Sequence, residues 1–172
     1  VDGVTDGFGD SLFHVAAAFG CRRTVATILA DLGTTKKMTD RITSILNRKN
    51  GIGYTALHYS CLMNHEEIVK SLIDTEKVDV NVESNVGLTP MHVAGWAGQY
   101  EVVDLLISDK RVSVNVSTEN ARTPLHMASD GVSSEFARIV DRLLSRDEIR
   151  VNAVDKYGCT PLFNACDDGN LE

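Results

Sequence analysis

Thr89-Pro90-Met91-His92-Val93-Ala94 recurs, with small changes, at four other places in the chain. It returns as Ser11-Leu12-Phe13-His14-Val15-Ala16, Thr55-Ala56-Leu57-His58-Tyr59-Ser60, Thr123-Pro124-Leu125-His126-Met127-Ala128 and Thr160-Pro161-Leu162-Phe163-Asn164-Ala165. The intervals are 44, 34, 34 and 37 residues. A unit of this size in tandem predicts a solenoid, in which each unit covers only its neighbours and the array offers one long surface. Function then belongs to that surface rather than to a catalytic pocket.

Outward from each hexapeptide the local logic repeats. Gly53 ends a tight turn and Thr55 is placed to cap a helix beginning at Ala56. Pro90 and Pro124 occupy that first helical position in the next two units, where a missing N–H costs nothing and the fixed φ suits a helix. Leu57, Ser60 and Cys61 then share one face, and Asn64-His65 breaks the helix. A second helix follows from Glu66, with Ile68, Val69, Leu72 and Ile73 as its apolar stripe and two acids at its positive end. Val78-Asp79-Val80-Asn81-Val82 alternates and is β-branched, which predicts a short extended finger. The next unit matches in Gly87, Thr89, Pro90, Gly98, Val102-Val103, Leu105-Leu106 and Val114-Asn115-Val116.

This order of turn, Thr-Pro-Leu-His-x-Ala, short helix, turn, Val-Val-x-x-Leu-Leu helix and Val-Asn finger resembles the ankyrin repeat. The resemblance runs from residue 6 to 172 and divides the chain into repeats at about 6–49, 50–83, 84–117, 118–154 and 155–172. It implies an all-α solenoid of helix–turn–helix units with short β-hairpin fingers. The inner helices would line a concave groove used for protein binding. Ser11-Leu12 in place of Thr-Pro and Phe163 in place of His make the first and last units the weakest matches.

Three departures carry information. The first unit holds an insertion over residues 31–44, where Met38, Ile42 and Ile45 recur at helical spacing among Lys36, Lys37, Asp40 and Arg41. That spacing predicts an extra amphipathic helix, a surface excursion before the finger resumes at Ile45-Leu46-Asn47. The unit from Thr118 has added residues around Val132-Ser133-Ser134, and it places Ala121 where other units have Gly, so its tight turn is expected to be distorted. The sequence stops where the outer helix of the last unit should begin, which is expected of a fragment of a longer protein.

The composition is that of an ordinary globular chain, with 43% hydrophobic and 24% charged residues. The net charge is −7, divided as +2 over residues 1–50 and −9 over 51–172. A general nucleic-acid surface would need a basic patch, so no nucleic-acid partner is expected. Nor is membrane insertion, since no apolar run approaches the ~20 residues of a spanning helix. Cys21, Cys61, Cys159 and Cys166 form no CxxC pair. They read as free thiols, with Cys61 and Cys166 buried after the hexapeptide, which favours a reducing intracellular compartment.

The histidines His14, His58, His92 and His126 invite a metal site. Stacked helices lie roughly 10 Å apart, whereas two nitrogens sharing one zinc at ~2.0–2.1 Å stand within ~4 Å of each other. In the ankyrin family this His instead bonds the adjoining turns together with the preceding Thr. His65, at the turn between helices, reads as structural too. No Gly-x-Ser-x-Gly or phosphate loop occurs, and Asp167-Asp168 reads as a solvated turn rather than a catalytic dyad. No catalysis and no cofactor are expected of this segment. Asn47, Asn81, Asn115 and Asn152 hold equivalent finger places, where the amide would bond nearby backbone. The resemblance adds a second role, since Asn in a Val-Asn context can be a hydroxylation target, which fits Asn81, Asn115 and Asn152.

Partner contacts are expected at positions that the repeat leaves free. On the inner helices these include Phe19, Leu62, Met63, Trp96 and Asp130. At the finger tips they include Phe8, Ile52, Tyr54, Val86, Leu88, Arg122, Lys156 and Tyr157. The first three units set an apolar row with Trp96 at its centre, and the last two turn acidic through Asp130, Asp167 and Asp168. An exposed patch with Trp and Tyr anchors predicts a docking site for an apolar helix or extended segment with a basic flank. The competing expectation is that some of these rings pack between repeats as core. A second function class is an array that spaces or covers other domains, with the groove filled by the same chain.

Overall fold

A computed structural model describes residues 5–30 and 36–167, without the side chains of 36–39 and 167. Among the described residues the chain forms α1 (Leu12–Ala18), α2 (Arg22–Ala30), α3 (Lys36–Leu46), α4 (Ala56–Leu62), α5 (Glu66–Ile73), α6 (Pro90–Trp96), α7 (Tyr100–Ser108), α8 (Pro124–Ser129), α9 (Ser134–Leu144) and α10 (Pro161–Asp167). The inner helices α1, α4, α6, α8 and α10 stack in chain order. The outer helices α2, α5, α7 and α9 stack beside them, each against its own inner partner. The apolar stripes meet in one continuous core that includes Leu57, Val69, Leu72, Met91, Val103, Leu106, Leu125 and Leu143.

Thr55, Thr89 and Thr123 precede α4, α6 and α8 in extended backbone, and Pro90 and Pro124 open their helices as the sequence predicts. Asn64 closes α4 in the left-handed region at φ 55°, and the His65 N–H reaches back to the Ser60 carbonyl at 2.9 Å.

The fingers are tight turns, and no run of strand forms among the described residues beyond an isolated antiparallel bridge between Thr5 and Ser11. Each turn closes on itself through Asn50 N–H to Tyr54 O at 2.9 Å, Ser84 to Leu88 at 2.8 Å, Thr118 to Arg122 at 2.9 Å and Asp155 to Cys159 at 2.9 Å. Successive turns are joined by Gly51 N–H to Phe8 O, Asn85 to Ile52, Glu119 to Val86 and Lys156 to Asn120. These few bonds per neighbour hold the fingers in register without building a ladder. The alternating stretch Val78–Val82 turns at Val80-Asn81. Its alternation marks burial, with Val78, Val80 and Val82 inward and Asp79 outward.

Gly53 shows how closely the turns pack. At φ +84° a Cβ there would stand 2.4 Å from the Asn85 backbone nitrogen. Ala121, expected to distort its turn, does not. It adopts φ +59°, and its N–H bonds Thr118 O at 2.8 Å, as Gly53 bonds Asn50 at 3.0 Å and Gly87 bonds Ser84 at 3.0 Å. Packing holds the alanine in a conformation that opposes its side chain.

The insertion also departs from its sequence reading. A helix forms, but α3 runs on through Leu46, so Ile45-Leu46 belong to it rather than to a finger. Ile42 and Leu46 are buried in the common core and Ile45 packs against it. The C-terminal half of α3 is therefore part of the stack, not an excursion from it. The predicted Met38 contact, Lys36 and Lys37 concern side chains outside the described set, and residues 31–35 lie outside it altogether. The added residues of the fourth unit lead from α8 to α9, with Ser133 in extended backbone before α9. There Gly131 lies under the Phe136 ring, where a Cβ would come within 2.0 Å of it.

Candidate partner-binding groove

Each hexapeptide histidine is held the same way. The Thr55, Thr89 and Thr123 backbone N–H groups donate to Nδ1 of His58, His92 and His126 at 3.1–3.2 Å, and Ser11 does so to His14 at 3.1 Å. Nδ1 thus accepts, so the proton sits on Nε2, which donates into the next unit. Its acceptors are Leu88 O for His58 at 2.9 Å, Arg122 O for His92 at 3.0 Å and Cys159 O for His126 at 3.2 Å. His14 reaches Arg48 O at 2.9 Å and Tyr54 O at 3.0 Å. A second proton on Nδ1 would point at a backbone N–H in a dry site. Burial accordingly pushes the pKa of His58 and of His92 down to about 4. His65 makes a similar tie, Nε2 to Ala18 O at 3.0 Å. Among the described residues no group of three or more metal-ligating side chains is assembled.

The asparagines form a second file of ties. Asn47 donates to Lys77 O at 2.9 Å and accepts from Asp79 N–H at 2.7 Å. Asn81 does the same with Arg111 and Ser113, and Asn115 with Glu148 and Arg150, at 2.7–2.9 Å. The amides bridge to the following unit, and Asn47 Nδ2 also donates to the nearby Thr43 O at 3.0 Å, as expected of an amide bonding local backbone. Asn152 is exposed. Nothing in this geometry bears on hydroxylation, which stands on the resemblance.

Beyond these ties the inner helices end at an open groove. Trp96, the sole tryptophan, is 61% exposed at the end of α6. Beside it the groove, about 420 Å³, is walled by Tyr54, Val86, Leu88 and Met127 and floored toward α8 by Arg122 and Asp130, with Glu119 and Asn120 at the finger. Arg122 Nη2 donates to both Asp130 oxygens, at 2.7 and 2.5 Å, and to His126 O at 3.2 Å. Asn164 Nδ2 also donates to Asp130 at 3.0 Å. The Arg122 Nε–H is buried with no hydrogen-bond partner.

A family model for ankyrin repeats in three copies matches residues 13–118, and a single-repeat model matches 120–156. The chain belongs to the ankyrin-repeat family. No curated protein matches it. Ankyrin repeats are in general protein–protein interaction modules and typically non-catalytic. No described helix of this array is long and apolar enough to cross a membrane.

Of the ankyrin positions expected to meet a partner, the groove collects Tyr54, Val86, Leu88, Trp96, Arg122 and Asp130. Phe19, Ile52, Met63 and Tyr157 are exposed elsewhere along the array, and Leu62 is half-buried. Tyr54 is half-buried as well, its ring stacked 4.8 Å from His58, and burial raises its pKa. Asp130, read from the sequence as a free acid, is committed to Arg122 and Asn164. Asp168 lies outside the described residues, as does the Asp167 side chain.

Met127 and Glu119 were not legible as groove residues. Met127 fills the variable place of the hexapeptide, also held by Val15, Tyr59 and Val93, and that variability was the available signal. Next to the groove Tyr59, Asp10 and Asn50 form a hydrogen-bonded set, with Asn50 Nδ2 at 2.8 Å from Asp10 and 3.1 Å from the Tyr59 hydroxyl. The first two units therefore present a more polar wall than an apolar row implies. The cysteines divide. Cys61 is buried, and burial pushes its thiol far up, whereas Cys166 is exposed, as is Cys21, contrary to the expected burial of Cys166. Cys61 sits on α4, which has α1, α5 and α6 packed on it, while α10 packs chiefly on α8 among the described helices.

Proposed function

We propose that this ankyrin array is a non-catalytic protein-binding module whose partner lies in the groove centred on Trp96. The exposure of that ring carries the reading. An indole 61% open to water on a well-packed array is not core, so the competing expectation of rings packed between repeats does not apply to it. A large ring contributes about 1.5–3 kcal/mol when buried, and interface anchors of this type cost 2 kcal/mol or more on truncation. The partner is a protein segment with an apolar stretch, matching Val86, Leu88, Met127 and Trp96. The acidic balance of residues 51–172 supports a protein ligand over a nucleic acid.

Affinity capture with the wild-type array and with Trp96→Ala, compared by mass spectrometry, tests this. A partner that binds directly should lose at least ~30-fold in affinity with the variant, which is about 2 kcal/mol. The reading fails if Trp96→Ala instead destabilises the fold by the ~3–5 kcal/mol of a core aromatic while binding per folded molecule is unchanged. If no protein depends on Trp96, and the indole is shielded in a longer form of the chain, the array has the spacing and covering role instead.

A further inference from the structure

Charge within the groove is unevenly spent. Arg122, the cation lining it, has Nη2 committed to Asp130 and its Nε sealed from solvent. Asp130 is doubly engaged, by Arg122 and Asn164. Glu119 is different. It is exposed at the finger tip, its backbone N–H is tied to Val86 O at 3.2 Å, and its carboxylate forms no ion pair or hydrogen bond among the described residues. The same groove holds the open indole face of Trp96 and the Tyr54 ring.

From this we infer that the partner segment carries an arginine, seated on the Trp96 ring with its guanidinium directed to the Glu119 carboxylate. The inference rests on the groove reading and adds the chemistry of the occupant. An aromatic face attracts a cation through its quadrupole, most strongly for an indole. A planar guanidinium can lie on the ring and still present a fork of N–H donors to a carboxylate beside it, whereas an ammonium is a compact point charge. An acidic side chain is disfavoured there, because the guanidinium in the groove is already paired, Glu119 would repel it, and the Lys156 ammonium at the rim is engaged by Asn120. The apolar wall of Val86, Leu88 and Met127 takes the residues flanking the arginine.

A random 12-residue peptide library displayed on phage, panned against the array, supplies the probe. Enriched peptides are then titrated while the fluorescence of Trp96, the sole tryptophan, is followed. Peptides that pair one arginine with apolar neighbours, perturb Trp96 and bind Glu119→Gln roughly 2–5-fold more weakly support the inference. Glu101→Gln, an equal charge change on the outer helix α7, should leave their affinity alone. Equal weakening by Glu101→Gln would reduce the effect to general charge and overturn the inference. Peptides that perturb Trp96 but carry no arginine, or ignore Glu119→Gln, also overturn it while leaving the groove in place. Peptides that bind without perturbing Trp96, or a library that yields none, count against the groove itself.

Discussion

His14, His58, His92 and His126 stand four residues before Ala18, Leu62, Trp96 and Asp130, which end or directly follow the same inner helices. Residues four apart share a helix face, yet the first file is buried throughout and the second is half-buried or exposed. The histidines are 0–1% exposed and bonded alike in every unit. The second file holds four different side chains, one of them a 61% exposed tryptophan. The finger of the next unit explains the difference. It lies over the first turn of each helix and supplies the carbonyl that each His meets. At the last turn Trp96 projects into open space, whereas Ala18, Leu62 and Asp130 are half-buried. One end of the helix is fixed by stacking and the other is left free for recognition.

Acid should break the covered file first. His58 and His92 are held neutral with pKa pushed down to about 4, against about 6.5 in the unfolded chain. The unfolded state therefore takes up protons first as pH falls. Their contribution is complete above pH 6.5 and lost progressively down to about pH 4, by about 3 kcal/mol for each residue. Urea denaturation at pH 7.5, 6 and 5 should show stability falling before most carboxylates titrate. A flat profile over that range would contradict the neutral tautomer.

Single substitutions sharpen the contrast. His92→Ala should cost about 3 kcal/mol, since it opens a cavity and strands the Arg122 carbonyl; a loss below ~1 kcal/mol in chemical denaturation would mean that the finger does not depend on it. Ile42→Ala asks whether coverage also governs α3, which belongs to no repeated pattern. Its burial predicts a loss of about 2–3 kcal/mol, and a neutral result would return α3 to the surface. Ala121→Gly should raise stability by about 0.5–1 kcal/mol by relieving the positive φ, part of the gain being offset by the entropy of glycine. Trp96→Ala, four residues from His92, should change the unfolding free energy least, by less than ~0.5 kcal/mol in urea denaturation.

The repeated hexapeptide, the helix starts at Thr-Pro and the apolar stripes were legible because they are local. Spacing alone tells which residues share a face and where backbone N–H groups need a cap. Exposure of Trp96 and Tyr157 could be read the same way, by exclusion from the stripes. The distortion expected at Ala121 was not found, because a single residue's preference for negative φ is smaller than the packing of two neighbouring turns against it. The burial expected of Cys166 failed for the converse reason. Cys61 is covered by α6, and no local pattern carries that information.

The sequence by itself determined the kind of fold, its period and the face that each helix turns inward, since these follow from side-chain periodicity and backbone geometry within one unit. Tertiary structure decided the remainder. It drew the C-terminal half of α3 into the core and sent the Asn47, Asn81 and Asn115 amides across to the next unit. It also cancelled the charge of Asp130 with Arg122 and left that of Glu119 open beside Trp96. Apart from the Arg122–Asp130 pair, whose partners lie eight residues apart in one unit, each of these depends on which groups from other units arrive alongside. Residues some thirty or more positions apart, such as Asn164 and Asp130, meet only once the units stack. Even Arg122 and Asp130 meet only because the finger turn and the end of α8 fold back on one another, so the repeat pattern alone did not show which charge would be spent.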